Sequence, residues 1–302
     1  MNRLRQTLLA SLTDSEFPVK KIALCYQGNR ELAEAIAGLL PYPCLLVHSP
    51  SQLLTGPELA EVGHALELYQ PAGPGYEGCL AQRALLRAQG CRILTLYDWN
   101  ESYLADPFWG DVEYPALAAL LAQTKAEIER VEEFSITSEL GTDIRFSVKG
   151  RRWLAEDGMC RGTALTQLPD GEIYTCPVEE TFTGVLVVDG TVSRSWLPDE
   201  PQRLEFVQGR LVNCSPAMAA YLAPKAPDIY QIGEFALGFN TACRQVVHNI
   251  SVDEKAAGTV HFALGDSYGL GQSKSRYHVD MVIRRPKVRT WPAIQLPYFL
   301  AD

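Results

Sequence analysis

Along the first ~130 residues, short apolar runs alternate with longer stretches of helical period. Lys20–Tyr26 (KKIALCY) is a brief apolar run that ends in Gln27-Gly28-Asn29. Arg30–Leu40 then carries helical periodicity, and Pro43–His48 (PCLLVH) reads as the next strand. Strand, turn, helix, strand is the βαβ pattern and predicts an α/β layer. Pro57–Leu68 and Leu80–Gln89 predict further helices on either side of the breaker-rich stretch Pro71-Ala72-Gly73-Pro74-Gly75. Arg92–Tyr97 (RILTLY) predicts a third strand. Pro115–Glu133 is the clearest helix, with proline near its start and good helix formers throughout. The N-terminal segment up to Asp14 and Glu16 reads as an ordinary first helix and carries no signal-peptide pattern.

The pattern changes after about residue 134. Phe134–Thr137, Asp143–Val148, Gly184–Val188 and Arg203–Val207 are short strand-like segments. Turn signals at Glu139-Leu140-Gly141-Thr142, Asp189-Gly190 and Gln208-Gly209 punctuate them. Val185–Asp189 and Thr191–Ser195, on either side of Asp189-Gly190, predict a hairpin. The expected architecture is an α/β N-terminal domain over residues 1–133 and a β-rich α+β domain over residues 134–302. No internal repeat or low-complexity segment interrupts either half.

Composition narrows the function. The 302 residues contain 27 Lys+Arg and 36 Asp+Glu, a net charge of −9, which argues against non-specific nucleic-acid binding. A 47% hydrophobic and 21% charged chain is ordinary for a globular enzyme. It is long enough to be stable without a disulfide or a structural metal. No run approaches the ~18 apolar residues of a membrane helix; the richest, such as Pro115–Ala122, are far shorter. The expected location is cytoplasmic. The eight cysteines form no CxxC pair and predict buried free thiols.

Candidate chemistry gathers in the second half. His278 and Asp280 lie at i and i+2 in Tyr277-His278-Val279-Asp280. On a strand they project to one side, ready to bind a borderline divalent metal or to form an ordinary surface pair. His261 stands in the apolar run Thr259–Leu264, where a satisfied core histidine is the common case. Glu234, in Ile232-Gly233-Glu234-Phe235-Ala236-Leu237, is a carboxylate in an apolar strand and is costly to bury unless paired or metal-bound. Glu172 enters a strand after Pro169-Asp170-Gly171.

Other features read more plainly. Gly269–Ser275 lacks the GxxxxGK[ST] spacing of a phosphate loop and reads as a flexible turn, whose Lys274 or Arg276 could meet a substrate carboxylate. Gln27-Gly28-Asn29 lacks GxGxxG and reads as a plain βα turn. His48 and His64 have no ligand-like neighbours. Of Glu179 and Glu180, one reads as structural and the other as exposed.

Five segments in order resemble the aminopeptidase T / aminopeptidase S family of metallopeptidases: GTDIRFSVKGRRWLAEDG, LPDGEIYTCPVEETFTG, GEFALGFN, DEKAAGTVHFALGDSYG and SRYHVD. The resemblance covers roughly residues 134–285. It implies metal ligands at Glu172, Glu234, His261, His278 and Asp280, and a functional tyrosine at Tyr268, seven residues after His261. Asp253-Glu254-Lys255 resembles a family element ahead of the histidine strand, and a solvated charged turn accounts for it equally well.

The resemblance implies a hydrolase with two divalent cations (Zn, Co or Mn). Glu234 would bridge them, Glu172 and His261 would complete one site, and His278 and Asp280 the other. Tyr268 would donate a hydrogen bond to the developing oxyanion or the leaving group. The substrate would be a small peptide or related amide, and the family habit is a homodimer. The same superfamily contains a ring-cleaving dihydroxypyridine dioxygenase, which implies the alternative of a single Fe(II) on His261, His278 and Asp280. Retention of Glu172 together with Glu234 favours the hydrolase, because a one-metal site has little use for two extra carboxylates. A non-catalytic relic is the weakest reading, since every ligand position and Tyr268 are filled.

Overall fold

The structure is a computed structural model that describes residues 3–13, 17–70, 75–101, 104, 112–161, 165–194, 196–243 and 246–299. Of the breaker-rich stretch between the predicted helices Pro57–Leu68 and Leu80–Gln89, residues 71–74 lie outside the described residues, as does Ser195. The chain forms two compact units. One contains residues 1–118 and 156–170, the other residues 119–155 and 171–302. The architecture is mixed α/β with several sheets, as the sequence implies.

The first unit holds a parallel sheet. Its strands are β1 (Ile22–Tyr26), β2 (Cys44–His48), β3 (His64–Leu68), β4 (Arg92–Thr95) and β8 (Leu165–Gln167), in the order β2-β1-β3-β4-β8. All four pairings are parallel. Every residue of β1 is buried, which is why its sequence is continuously apolar rather than alternating. Helices α1 (Arg3–Leu12), α2 (Arg30–Leu39), α3 (Gly56–Ala60) and α4 (Tyr76–Ala88) belong to the same unit. Asn29 caps α2 by accepting a hydrogen bond from the Leu32 amide at 3.0 Å.

One predicted helix is mostly not a helix. Pro57–Leu68 keeps helical structure only through Ala60, and His64–Leu68 is the buried strand β3. The residues HALEL favour a helix by propensity, but β3 pairs with β1 on one side and β4 on the other. That tertiary pairing overrides a preference worth only tenths of a kcal/mol per residue. Its Glu67 is fully buried and is compensated by Arg83 of α4, whose Nε lies 2.8 Å away.

Helix α5 (Tyr114–Ile128) is the predicted long helix, five residues shorter at its C-terminal end; Glu133 instead opens a strand. Among the described residues, no helix is long and apolar enough to cross a membrane. All eight cysteines are free; Cys44 and Cys214 are half-buried and the others buried.

The second unit contains two largely antiparallel sheets. One runs β12-β11-β10-β6-β5-β16, formed by β5 (Glu133–Thr137), β6 (Asp143–Ser147), β10 (Thr183–Val188), β11 (Gln202–Val207), β12 (Arg210–Cys214) and β16 (Lys287–Trp291). The other runs β15-β14-β13-β9-β7, formed by β7 (Leu154–Glu156), β9 (Glu172–Thr175), β13 (Ile232–Gly238), β14 (Thr259–Gly265) and β15 (His278–Arg284). Aromatic rings join the two sheets. Phe134 of β5 and Phe146 of β6 meet Phe235 of β13 with centroids 5.0 and 4.9 Å apart, both edge-to-face. Phe182 meets Phe262 of β14 at 5.5 Å. Because side chains alternate, burying Phe235 and Phe262 between the sheets turns Glu234, Ala236, His261 and Ala263 to the opposite face of the second sheet.

The predicted hairpin at Asp189-Gly190 does not form. Strand β10 is already paired on both sides, by β6 and β11. The chain after Gly190 therefore follows β15, which lies at a sheet edge with backbone groups to satisfy. Gly190 and Ser193 donate to the carbonyls of Val282 and Asp280, and Val282 donates back to Thr191.

Candidate metal centre

Strand register brings the five predicted ligands to one face. Opposite residues in an antiparallel pair share a face. Glu234 pairs with Ala263, and Ala263 pairs with Asp280. His261 lies between Ala236 and Val282, while His278 pairs with Gly265. On the other flank Glu172 pairs with Gly238. The small residues Ala236 and Ala263 form the floor between the longer ligand side chains.

The resulting side chains form a chain of close polar contacts. His261 Nε2 lies 3.0 Å from Glu234 Oε1 and 3.7 Å from Glu172 Oε2. His278 Nε2 lies 3.6 Å from Glu234 Oε2 and 3.0 Å from Asp280 Oδ1. Glu234 thus turns one carboxylate oxygen toward each imidazole. Glu234 shares a face with His261 because the register runs unbroken from the Glu234–Ala263 pair to the Ala236–His261 pair; the β-bulge lies to the other side, between Ile232 and Glu234. Glu172, Glu234 and His261 are buried, and His278 and Asp280 half-buried. Ligand atoms of Glu234, His261 and Asp280 lie within 4.8 Å of one another.

His278 is fixed from behind. Its Nδ1 donates to the Asp266 carbonyl at 2.7 Å, which leaves Nε2 to face the carboxylates. Burial opposes charge on His278, but Asp280 and Glu234 outweigh it and push its pKa up to about 10. The same contest, with Glu234 and Glu172 as the acidic partners, takes His261 up to about 9. Burial raises Asp280, and His278 more than reverses this, holding it down to about 2. Burial pushes the Glu172 carboxyl up against the opposing pull of Lys255 and His261.

Tyr268 lies on the loop between β14 and β15. Its ring packs on His278 with centroids 4.6 Å apart, and the side chain is largely exposed. Its amide donates to Asp266 Oδ1 at 2.7 Å, and its backbone is left-handed, with φ 48°. Desolvation of the hydroxyl end by the site, together with the Asp280 and Glu234 charges, pushes the phenol up from its ordinary value, while the rest of the side chain stays open to solvent.

The loop is clamped by an ion pair that the sequence did not advertise. Glu179 pairs with Arg151, and its Oε1 accepts from the Gln272 amide at 2.6 Å. Arg151 also donates to the carbonyls of Pro177 and Leu270. Gly271 is needed here: a Cβ would sit 2.4 Å from Cys176 Sγ and 2.5 Å from Glu179 Oε1. Gly269–Ser275 is therefore a fastened loop rather than a free one. Glu179 is buried and Glu180 exposed.

Asp253-Glu254-Lys255 is likewise not a solvated turn. Asp253 and Lys255 are buried, and Lys255 Nζ pairs with Glu172 and, at 3.0 Å, with Glu254. Asp253 roots the turn by accepting from the amides of Val247 and Asn249 and from the Thr191 hydroxyl. The signal available in sequence was the apolar setting of the triplet, between Val252 and Ala256-Ala257.

The donor set fits a divalent cation. Glu172 Oε2 and His261 Nδ1 are buried without a hydrogen-bond partner among the described residues. An unpaired buried carboxylate oxygen is costly unless a cation takes it. Mixed carboxylate and imidazole donors suit zinc, cobalt, manganese or iron.

Solved structures share the fold. A 2,5-dihydroxypyridine dioxygenase from Pseudomonas putida KT2440 superimposes with TM-score 0.71 at 15% identity, covering 99% of this chain and 96% of that one. Wild-type AmpT from Thermus thermophilus superimposes with TM-score 0.65 at 15% identity, covering 98% of each chain. No curated protein sequence matches the chain well enough to count as a relative. The sequence profile of the thermophilic metalloproteases (M29) matches residues 115–289, which contain all five candidate ligands and Tyr268. The chain belongs to the thermophilic metalloprotease (M29) family, the aminopeptidase T-like metallopeptidases.

Proposed function

We propose that this enzyme removes N-terminal residues from small peptides, or hydrolyses a related small amide, with two divalent cations in the centre described above. The observation that carries the reading is the division of Glu234: Oε1 faces His261 and Oε2 faces His278. A carboxylate so placed is suited to bridge two ions. Glu172 Oε2 and His261 Nε2 would hold one, and His278 Nε2 and Asp280 the other. When bound, zinc, cobalt or manganese ions supply Lewis acidity toward a carbonyl and lower the pKa of water.

The chain's own residues do the rest. The Asp266 carbonyl orients His278, and Glu234 orients both imidazoles. Tyr268, protonated and exposed above His278, is placed to donate a hydrogen bond to a developing oxyanion or to the leaving group. From the family resemblance we also propose a cytoplasmic homodimer, which sedimentation of the purified chain at twice its mass would support.

The test is Glu234→Gln assayed on aminoacyl substrates. We expect activity to vanish and metal binding to weaken at least about tenfold. Full activity would sink the bridging role. The second reading, a single Fe(II) on His261, His278 and Asp280 opening an aromatic ring, rests on their facial-triad composition. It leaves Glu172 and Glu234 without a metal-binding task, so oxygen uptake that survives their replacement would favour it.

A further inference from the structure

Next to the candidate ligands lies a cation that belongs to the chain itself. Lys255 is 3% exposed, and its Nζ is shared between Oε1 of Glu172 and Oε1 of Glu254. Its position is set by backbone as well as by charge. The Lys255 carbonyl accepts from the Asn240 amide at 2.8 Å, and its own amide donates to Val252 at 3.2 Å. Ala257 donates in turn to the Asn240 carbonyl at 3.0 Å. The turn is thereby fastened just beyond the end of β13, the strand that carries Glu234.

This arrangement splits the Glu172 carboxylate. Oε1 is occupied by Lys255, whereas Oε2 is buried, unpartnered among the described residues, and 3.7 Å from His261 Nε2. Glu254 holds Nζ from a second direction, so Lys255 keeps an acidic partner when Glu172 shares its charge with a bound ion. We propose that Lys255 is a positioning residue that makes Glu172 a one-oxygen ligand, offering Oε2 to a divalent cation and withholding Oε1. The proposal rests on the metal-dependent reading above and names a constraint on coordination that the reading itself does not require.

The test uses the full chain loaded with cobalt(II) alone, because cobalt's visible absorption weakens as its coordination number rises. In Lys255→Met, Oε1 is released and becomes a further donor. We expect cobalt still to bind at the wild-type stoichiometry, with visible absorption weaker by about half. Glu254→Gln, which leaves the Lys255–Glu172 pair in place, should keep the wild-type spectrum. If Lys255→Met does not fold, the double variant Lys255→Met/Glu254→Gln removes both charges together and carries the same expectation. A folded Lys255→Met or double variant with the wild-type spectrum overturns the proposal. Wild-type protein that takes up no cobalt overturns both this proposal and the metal-dependent reading. Wild-type protein that binds cobalt and cleaves peptides, beside a spectrally unchanged variant, overturns the role of Lys255 alone.

Discussion

Tyr268 and the two histidines show how much of the chemistry depends on single atoms. Tyr268→Phe keeps the ring on His278 and removes only the hydroxyl. We expect metal content to be unchanged and kcat to fall by about 10²–10³, the usual cost of one preorganised donor. An unchanged kcat would exclude the donor role. The histidines set a proton linkage. With pKa values of about 9 and 10 in the cation-free protein, His261 and His278 carry protons at neutral pH. A cation must displace them, so loading should release on the order of two protons per chain. Affinity should climb with pH and level off once both histidines are neutral. Calorimetry in buffers of different ionisation enthalpy measures that release. The sign for stability is opposite. The raised histidines contribute fully below 6.5, and that contribution is lost as pH rises through about 9 and 10. Lowered Asp280 contributes above 3.8 and loses its effect as pH falls through about 2. The candidate ligand set was legible through the family resemblance; pattern alone singled out Glu234 as a carboxylate in an apolar strand and His278 with Asp280 as an i,i+2 pair, and left His261 open as a core histidine. Lys255 was not legible, because its partner Glu172 is 83 positions away in sequence.

At the scale of elements, the candidate ligands depend on a sheet whose other face is a core. Phe235 stands between Glu234 and Ala236 and packs on Phe134, Phe146 and Phe262. Phe235→Ala should cost about 3–5 kcal/mol in chemical denaturation and loosen the neighbouring Glu234. The loop clamp makes a separate prediction. Glu179→Gln leaves the half-buried Arg151 without its counter-charge and should destabilise by about 1–3 kcal/mol. Tyr268 should then lose its fixed place, so kcat should fall more than metal content does. Equal loss of both would place the effect in the fold alone. Most strands and helices were legible from period and breakers. Those misread, Pro57–Leu68 and the hairpin at Asp189-Gly190, were decided by neighbours distant in sequence. A helix-favouring segment was drawn into a central strand, and a turn signal was satisfied along β15 rather than back along β10.

For the whole molecule, the mixed α/β character and the β-rich second half were visible in the change of pattern near residue 134. The interleaving of the two units was not, because the return of residues 156–170 to the first unit uses a short strand, β8, with no strong period of its own. Likewise, the candidate ligands could be named from the sequence, but not the register that sets Glu172, Glu234, His261, His278 and Asp280 on one sheet face. That register rests on the unbroken pairing of β13 with β14 from Glu234 onward and on burial of Phe235 and Phe262 against the other sheet. The most direct measurement is metal stoichiometry by elemental analysis, on protein purified without chelator and reconstituted anaerobically. The account predicts close to two equivalents of zinc, cobalt or manganese per chain, falling when Glu234 is replaced by glutamine. One equivalent of iron, retained after replacement of both Glu172 and Glu234, would contradict it.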